Sequence, residues 1–100
     1  MSTEPGERNI LEAAEQHFLA GRMDQAEALA RRILRRSDAP PETVLLLGRI
    51  LIETGKPQQA VFEIERAVKQ RPDDVNLRMT LHTAYLGCNQ VDKALAVATG

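Results

Sequence analysis

Two histidines, one cysteine, two close pairs of acids and a run of arginines are the groups in this 100-residue sequence with chemistry to offer. His17 and His82 stand 65 residues apart, each among apolar residues at helical spacing, and read as packed core histidines rather than a metal pair. His82 and Cys88 are six residues apart, a rotation of about 600° along a helix, which leaves them about 120° apart with nothing to orient the imidazole. No nucleophile pair follows. Asp73 and Asp74 suit a helix start, and Glu63 and Glu65 a solvated face, better than acid and base roles. The sequence contains no G-x-G-x-x-G, G-x-x-x-x-G-K-[ST], C-x-x-C or H-E-x-x-H. The expectation is therefore a protein that is not an enzyme, with no catalytic residues, no metal and no cofactor.

Composition supports a small soluble domain. The chain is 43% hydrophobic and 27% charged, too apolar for a disordered segment. Thirteen basic against fourteen acidic side chains give a net charge of -1, without the basic excess of a nucleic-acid binder. One cysteine forms no internal disulfide, and the polar start lacks the pattern of a signal peptide, so the expected compartment is cytoplasmic. No stretch approaches the roughly 20 apolar residues of a membrane span.

The elements that must position these groups come from an internal repeat. Gly21-Arg22-Met23-Asp24-Gln25-Ala26 recurs 34 residues later as Gly55-Lys56-Pro57-Gln58-Gln59-Ala60, and again in weakened form as Asn89-Gln90-Val91-Asp92-Lys93-Ala94. Upstream of each hexad lies a stripe at i, i+3, i+4, i+7: Ile10, Ala13, Ala14, His17; Val44, Leu47, Gly48, Leu51; Arg78, Leu81, His82, Tyr85. Downstream lie Ala26, Ala30, Ile33 and Ala60, Ile64, Ala67. Each unit is helix, turn, helix.

Gly21 and Gly55 supply the positive φ that ends a helix, and Asn89 takes their place in the third unit. Pro57 sits where a first helical turn tolerates a missing N–H. Pro40-Pro41 and Pro72-Asp73-Asp74 separate the units, with Asp73 as the expected N-cap and Asp74 favoured near the positive end of the helix dipole. The spacing predicts helices over 7–20, 24–36, 41–54, 58–70, 74–87 and 91–99.

With these residues in register the chain resembles the tetratricopeptide repeat family. The second unit carries the resemblance best, through Val44, Leu47, Gly48, Leu51, Ala60, Ile64, Ala67 and Pro72. The first keeps Ala14, Gly21 and Ala26 but has His17 at an aromatic place and Asp38 at the proline place. The third keeps Leu81, Tyr85 and Ala94 but puts Arg78 and His82 at large apolar and small places. The resemblance implies an all-α, αα-hairpin solenoid, a right-handed superhelix of about three repeats. The expected organisation is a disordered tail over 1–6 and a repeat domain over 7–100, with repeats at about 7–40, 41–74 and 75–100.

Leu46 and Ile50 form a second apolar face on the third helix, as packing on a preceding repeat requires, whereas the first helix has Glu12 and Gln16 at those places. That polarity suggests that the array begins here. The sixth helix looks cut short and would leave Leu95 and Val97 partly open, which suggests a longer protein or a homo-oligomer formed through that helix.

Two surfaces remain. A stripe displaced from the core on the first helix of each unit reads Leu11, Glu15, Phe18; Leu45, Arg49, Ile52; Met79, Thr83, Leu86. The resemblance implies that this is the concave, peptide-binding wall, and its apolar majority suits an apolar peptide or amphipathic helix. Some family members clamp a C-terminal carboxylate there with lysine, arginine and asparagine. The corresponding places here are Leu11, Glu15, Leu46, Asn76 and Thr80, which do not make such a clamp. Arg31, Arg32, Arg35 and Arg36 cover an arc of about 140° opposite the core, a solvated outer face rather than a nucleic-acid site. The favoured reading is a non-catalytic scaffold whose partner is another protein or peptide, with no nucleic acid and no membrane. Its rivals are the N-terminal regulatory or targeting domain of a larger enzyme, and a self-assembly module.

Overall fold

The computed structural model of the chain describes residues 7–36 and 39–99, with side chains described for 9–36 and 39–97. The tail expected over 1–6 and Asp38 at the proline place lie outside these residues. Six helices run through them: α1 Glu7–Leu19, α2 Met23–Leu34, α3 Glu42–Glu53, α4 Pro57–Gln70, α5 Val75–Gly87 and α6 Val91–Thr99. No strand occurs among the described residues.

One turn is built three times. Gly21 and Gly55 have φ of 82° and 78°, and Asn89 has φ of 61°. In each turn that residue's N–H reaches back three residues, and the next residue's N–H reaches back five. The long bonds are Arg22 to the His17 carbonyl at 2.8 Å, Lys56 to Leu51 at 2.7 Å and Gln90 to Tyr85 at 2.9 Å. These bonds satisfy carbonyls that a helix end leaves without partners. The carbonyls of Arg22, Lys56 and Gln90 then accept the first bond of the next helix, from Ala26, Ala60 and Ala94. A single residue thus closes one helix and opens the next, which keeps each hairpin tight.

The link between the second and third hairpins corrects one expectation. The N-cap of α5 is Asp74, whose side chain accepts from the Leu77 N–H at 3.1 Å; Asp73 lies one residue outside it. Capping needs extended backbone two or three residues before the N–H that it satisfies, and Asp74, with ψ of 107°, has it.

The helices pair as α1 with α2, α3 with α4 and α5 with α6, and the hairpins stack through α2 on α3, α4 on α5, α1 on α3 and α3 on α5. Each hairpin touches only its neighbours, and the molecule extends over 52 × 27 × 17 Å, as a solenoid does. The core is continuous: Ala14, Ala26 and Ile33 in the first hairpin, Leu47, Leu51 and Ile64 in the second, and Leu77, Leu81 and Ala94 in the third. Leu46 and Ile50 are buried, as their second apolar face requires. At Gly48 a Cβ would stand 2.6 Å from Ile64 Cδ1 and 3.4 Å from Thr80 Cγ2, so the missing side chain lets α3 approach both α4 and α5.

Candidate functional site

The first helices α1, α3 and α5 line one side of the solenoid and enclose an open cleft of about 1190 Å³. Seven of the nine stripe residues line it: Glu15 and Phe18 from α1, Leu45, Arg49 and Ile52 from α3, and Met79 and Thr83 from α5. Period 3.6 puts each set on one face, and the stacking of α1 on α3 on α5 sets the faces side by side.

The other two stripe residues behave differently. Leu11 is 1% exposed and belongs to the core, so it is not a contact residue of the cleft. It is the counterpart of Leu45 and Met79, and the stacking of α3 on α1 buries this part of the first hairpin. Leu86 is exposed but does not line the cleft.

The cleft also recruits residues beyond the stripe. Glu42, Glu53 and Leu19 extend it by one helical turn at its ends, a signal present in the spacing. Val75 and Asn76 do the same on α5, and Thr80 and Leu46 contribute from its floor. Arg78, His82 and Val97 are of another kind. Arg78 donates from Nη2 to the Val97 carbonyl at 2.9 Å, and His82 donates from Nδ1 to the Ala94 carbonyl at 2.9 Å. Both departures from the repeat pattern therefore bond to the backbone of α6, Arg78 in the last turn, where carbonyls lack intrahelical donors, and His82 at Ala94 nearer its start. His17 is likewise occupied, its Nδ1 accepting from Arg22 Nε at 2.9 Å.

Within the cleft Glu15, Arg49 and Glu53 are exposed, while Phe18, Leu45 and Ile52 are half-buried and pack on the core. The result is an apolar floor with charged rims of both signs. Among the described residues no group of three or more His, Cys, Asp or Glu side chains is placed to hold a metal ion. No described helix is long and apolar enough to cross a membrane.

The opposite side is built from α2, α4 and α6. Here Arg31 is committed to Glu27 at 2.9 Å, Gln59 at 3.2 Å and Glu63 at 3.8 Å, and Lys56 joins Glu27 at 3.2 Å. Arg31 of the arginine run thus belongs to a network that bridges the first and second hairpins.

The tetratricopeptide repeat matches residues 17–78, more than half of the chain. The chain belongs to the tetratricopeptide repeat family. Searches of curated proteins and of solved structures return no match. Tetratricopeptide repeats are typically non-catalytic interaction modules, so family membership points to a protein partner in general terms.

Proposed function

We propose that this tetratricopeptide repeat protein is a non-catalytic scaffold whose cleft takes an apolar peptide or the apolar face of an amphipathic helix. The observation that carries this reading is the continuity of the cleft across all three hairpins, with Phe18, Leu45, Ile52 and Met79 presenting apolar surface along it. A peptide laid there covers aliphatic and aromatic carbon that water otherwise wets, and each such side chain contributes about 1 kcal/mol or more when desolvated. Glu15, Arg49 and Glu53 at the rims favour one register of the partner's charges over another. The unpaired Cys88 suits a reducing compartment such as the cytoplasm.

The test is affinity capture with the native chain and with a Glu15→Arg, Arg49→Glu variant. Both positions are exposed, so the variant keeps its helicity by circular dichroism. The expected result is a protein retained by the native chain and lost from the variant, whose bound segment, made as a peptide, protects Phe18 and Met79 from hydrogen exchange or labelling. Partners retained equally by both forms exclude the cleft as the binding surface.

A further inference from the structure

The side of the solenoid away from the cleft carries a basic pair built twice. Arg32 and Arg35 on α2 recur one repeat later as Arg66 and Lys69 on α4, and all four are exposed. Helical period puts each pair opposite its own core, Ala26, Ala30 and Ile33 on α2 and Ala60 and Ile64 on α4. The two helices lie side by side in the same direction, because Glu27 meets Lys56 while Arg31, one turn further on, meets Gln59 and Glu63. The four cations therefore form one strip across the first and second hairpins. Unlike Arg31, none of them pairs with a carboxylate among the described residues.

Phe62 borders this strip, 61% exposed, with the Arg66 guanidinium 5.9 Å from the centre of its ring. The same repeat place holds Ala28 on α2 and Ala96 on α6, so the repeat does not require an aromatic there. Like charges gathered on one surface repel each other in the free protein, and a partner that supplies carboxylates relieves that repulsion. The exposed ring adds apolar surface for the same partner to cover.

We propose that this strip docks an acidic segment of a partner protein, in which carboxylates flank an apolar side chain that lies on Phe62. The site is separate from the cleft. Guanidinium groups present paired donors that match a carboxylate, and three of the four cations are arginines. Extended phosphate surfaces fit less well. Asp24 and Asp92 hold equivalent places in the first turns of α2 and α6 and are exposed, so a bilayer or a nucleic-acid duplex laid along this side meets carboxylates as well as cations. A short segment avoids them by staying on the C-terminal halves of α2 and α4.

The probe is a fluorescein-labelled helical peptide with glutamates at i, i+4 and i+7 and leucine at i+3, titrated with the full chain at physiological ionic strength and read by anisotropy. Saturable binding is expected, weakened about tenfold or more by Arg35→Glu combined with Arg66→Glu, weakened also by Phe62→Ala, and unchanged by Arg49→Glu in the cleft. The same peptide with glutamine in place of glutamate binds no longer. All the substituted positions are exposed, and circular dichroism of each variant separates loss of the strip from loss of the fold. Absence of saturable binding overturns the proposal, as does equal binding of the glutamine peptide. Binding that Arg49→Glu removes and the double variant leaves intact also overturns it. So does tighter binding of phosphatidylserine vesicles or of single-stranded oligothymidylate than of the peptide, lost in the double variant, because the strip then holds phosphate.

Discussion

The hydroxyl of Tyr85 on α5 donates a hydrogen bond to the carboxylate of Glu65 on α4, which ties the third hairpin to the second through buried surface. Tyr85 is 6% exposed, and burial, reinforced by the Glu65 carboxylate, pushes its pKa up from 10 to about 12. The folded chain thus holds the phenolic proton more tightly than the unfolded one. The resulting stability is full below pH 10 and disappears as the pH rises towards 12. Tyr85 is the only tyrosine and the sequence has no tryptophan, so tyrosinate absorbance reads this site alone. The expected midpoint is about 12 in the native chain and about 10 in denaturant; equal midpoints refute the coupling. Tyr85→Phe removes the alkaline loss, a difference on the order of 2 kcal/mol.

At the acid end the corresponding group is Glu27. The hydrogen bond from Arg31 is the main cause that holds its carboxyl below the usual 4.5, helped by Lys56 and opposed by partial burial. A depressed folded pKa contributes stability above about pH 4.5 that is lost as the pH falls through the lower folded value. Glu27→Gln is expected to flatten urea midpoints over that range and to leave the neutral-pH stability within about 1 kcal/mol of native. An unchanged acid slope counts against the network.

Thr43 is fully buried, and its Oγ1 has no hydrogen-bond partner among the described residues. A buried hydroxyl without a partner costs about 1–3 kcal/mol of desolvation, and valine has nearly the same shape. Thr43→Val is therefore expected to raise stability by about 1 kcal/mol in chemical denaturation. A loss of that size instead means that the hydroxyl is satisfied.

Gly48 is expected to resist even alanine. A helical Gly→Ala change gains up to about 1 kcal/mol of propensity, but the new Cβ falls 2.6 Å from Ile64 Cδ1 and 3.2 Å from Cγ1 of a fully buried side chain. Overpacking costs about 1–3 kcal/mol and wins. Ile64→Val deletes the closest atom, so Gly48→Ala costs less in that background than in the native one. Additive effects in the double-mutant cycle exclude the proposed contact.

Much of this fold is local physics and was legible in the residues. The positive φ at Gly21, Gly55 and Asn89 follows from the sterics of a single residue, and the six helices begin and end within about three residues of the predicted bounds. The stripe on α3 was readable for the same reason, since helical period alone puts Leu45, Arg49 and Ile52 on one face.

The sequence by itself determined the repeat, the family and the side of each first helix that forms the cleft, because periodicity and turn chemistry depend on neighbours along the chain. Tertiary structure decided the rest. Leu11, Leu45 and Met79 occupy one repeat position, yet they range from 1% to 62% exposed, since burial depends on which helix comes to lie across a place and not on its period. For the same reason Leu86 is exposed outside the lining of the cleft. Arg78 and His82, at odds with the repeat pattern, become intelligible only when the carbonyls of Val97 and Ala94 stand opposite them. The cap falls on Asp74 rather than Asp73 because the turn closed by the Asp74 N–H on the Arg71 carbonyl takes up Asp73, so that the extended residue whose carboxylate reaches the Leu77 N–H is Asp74.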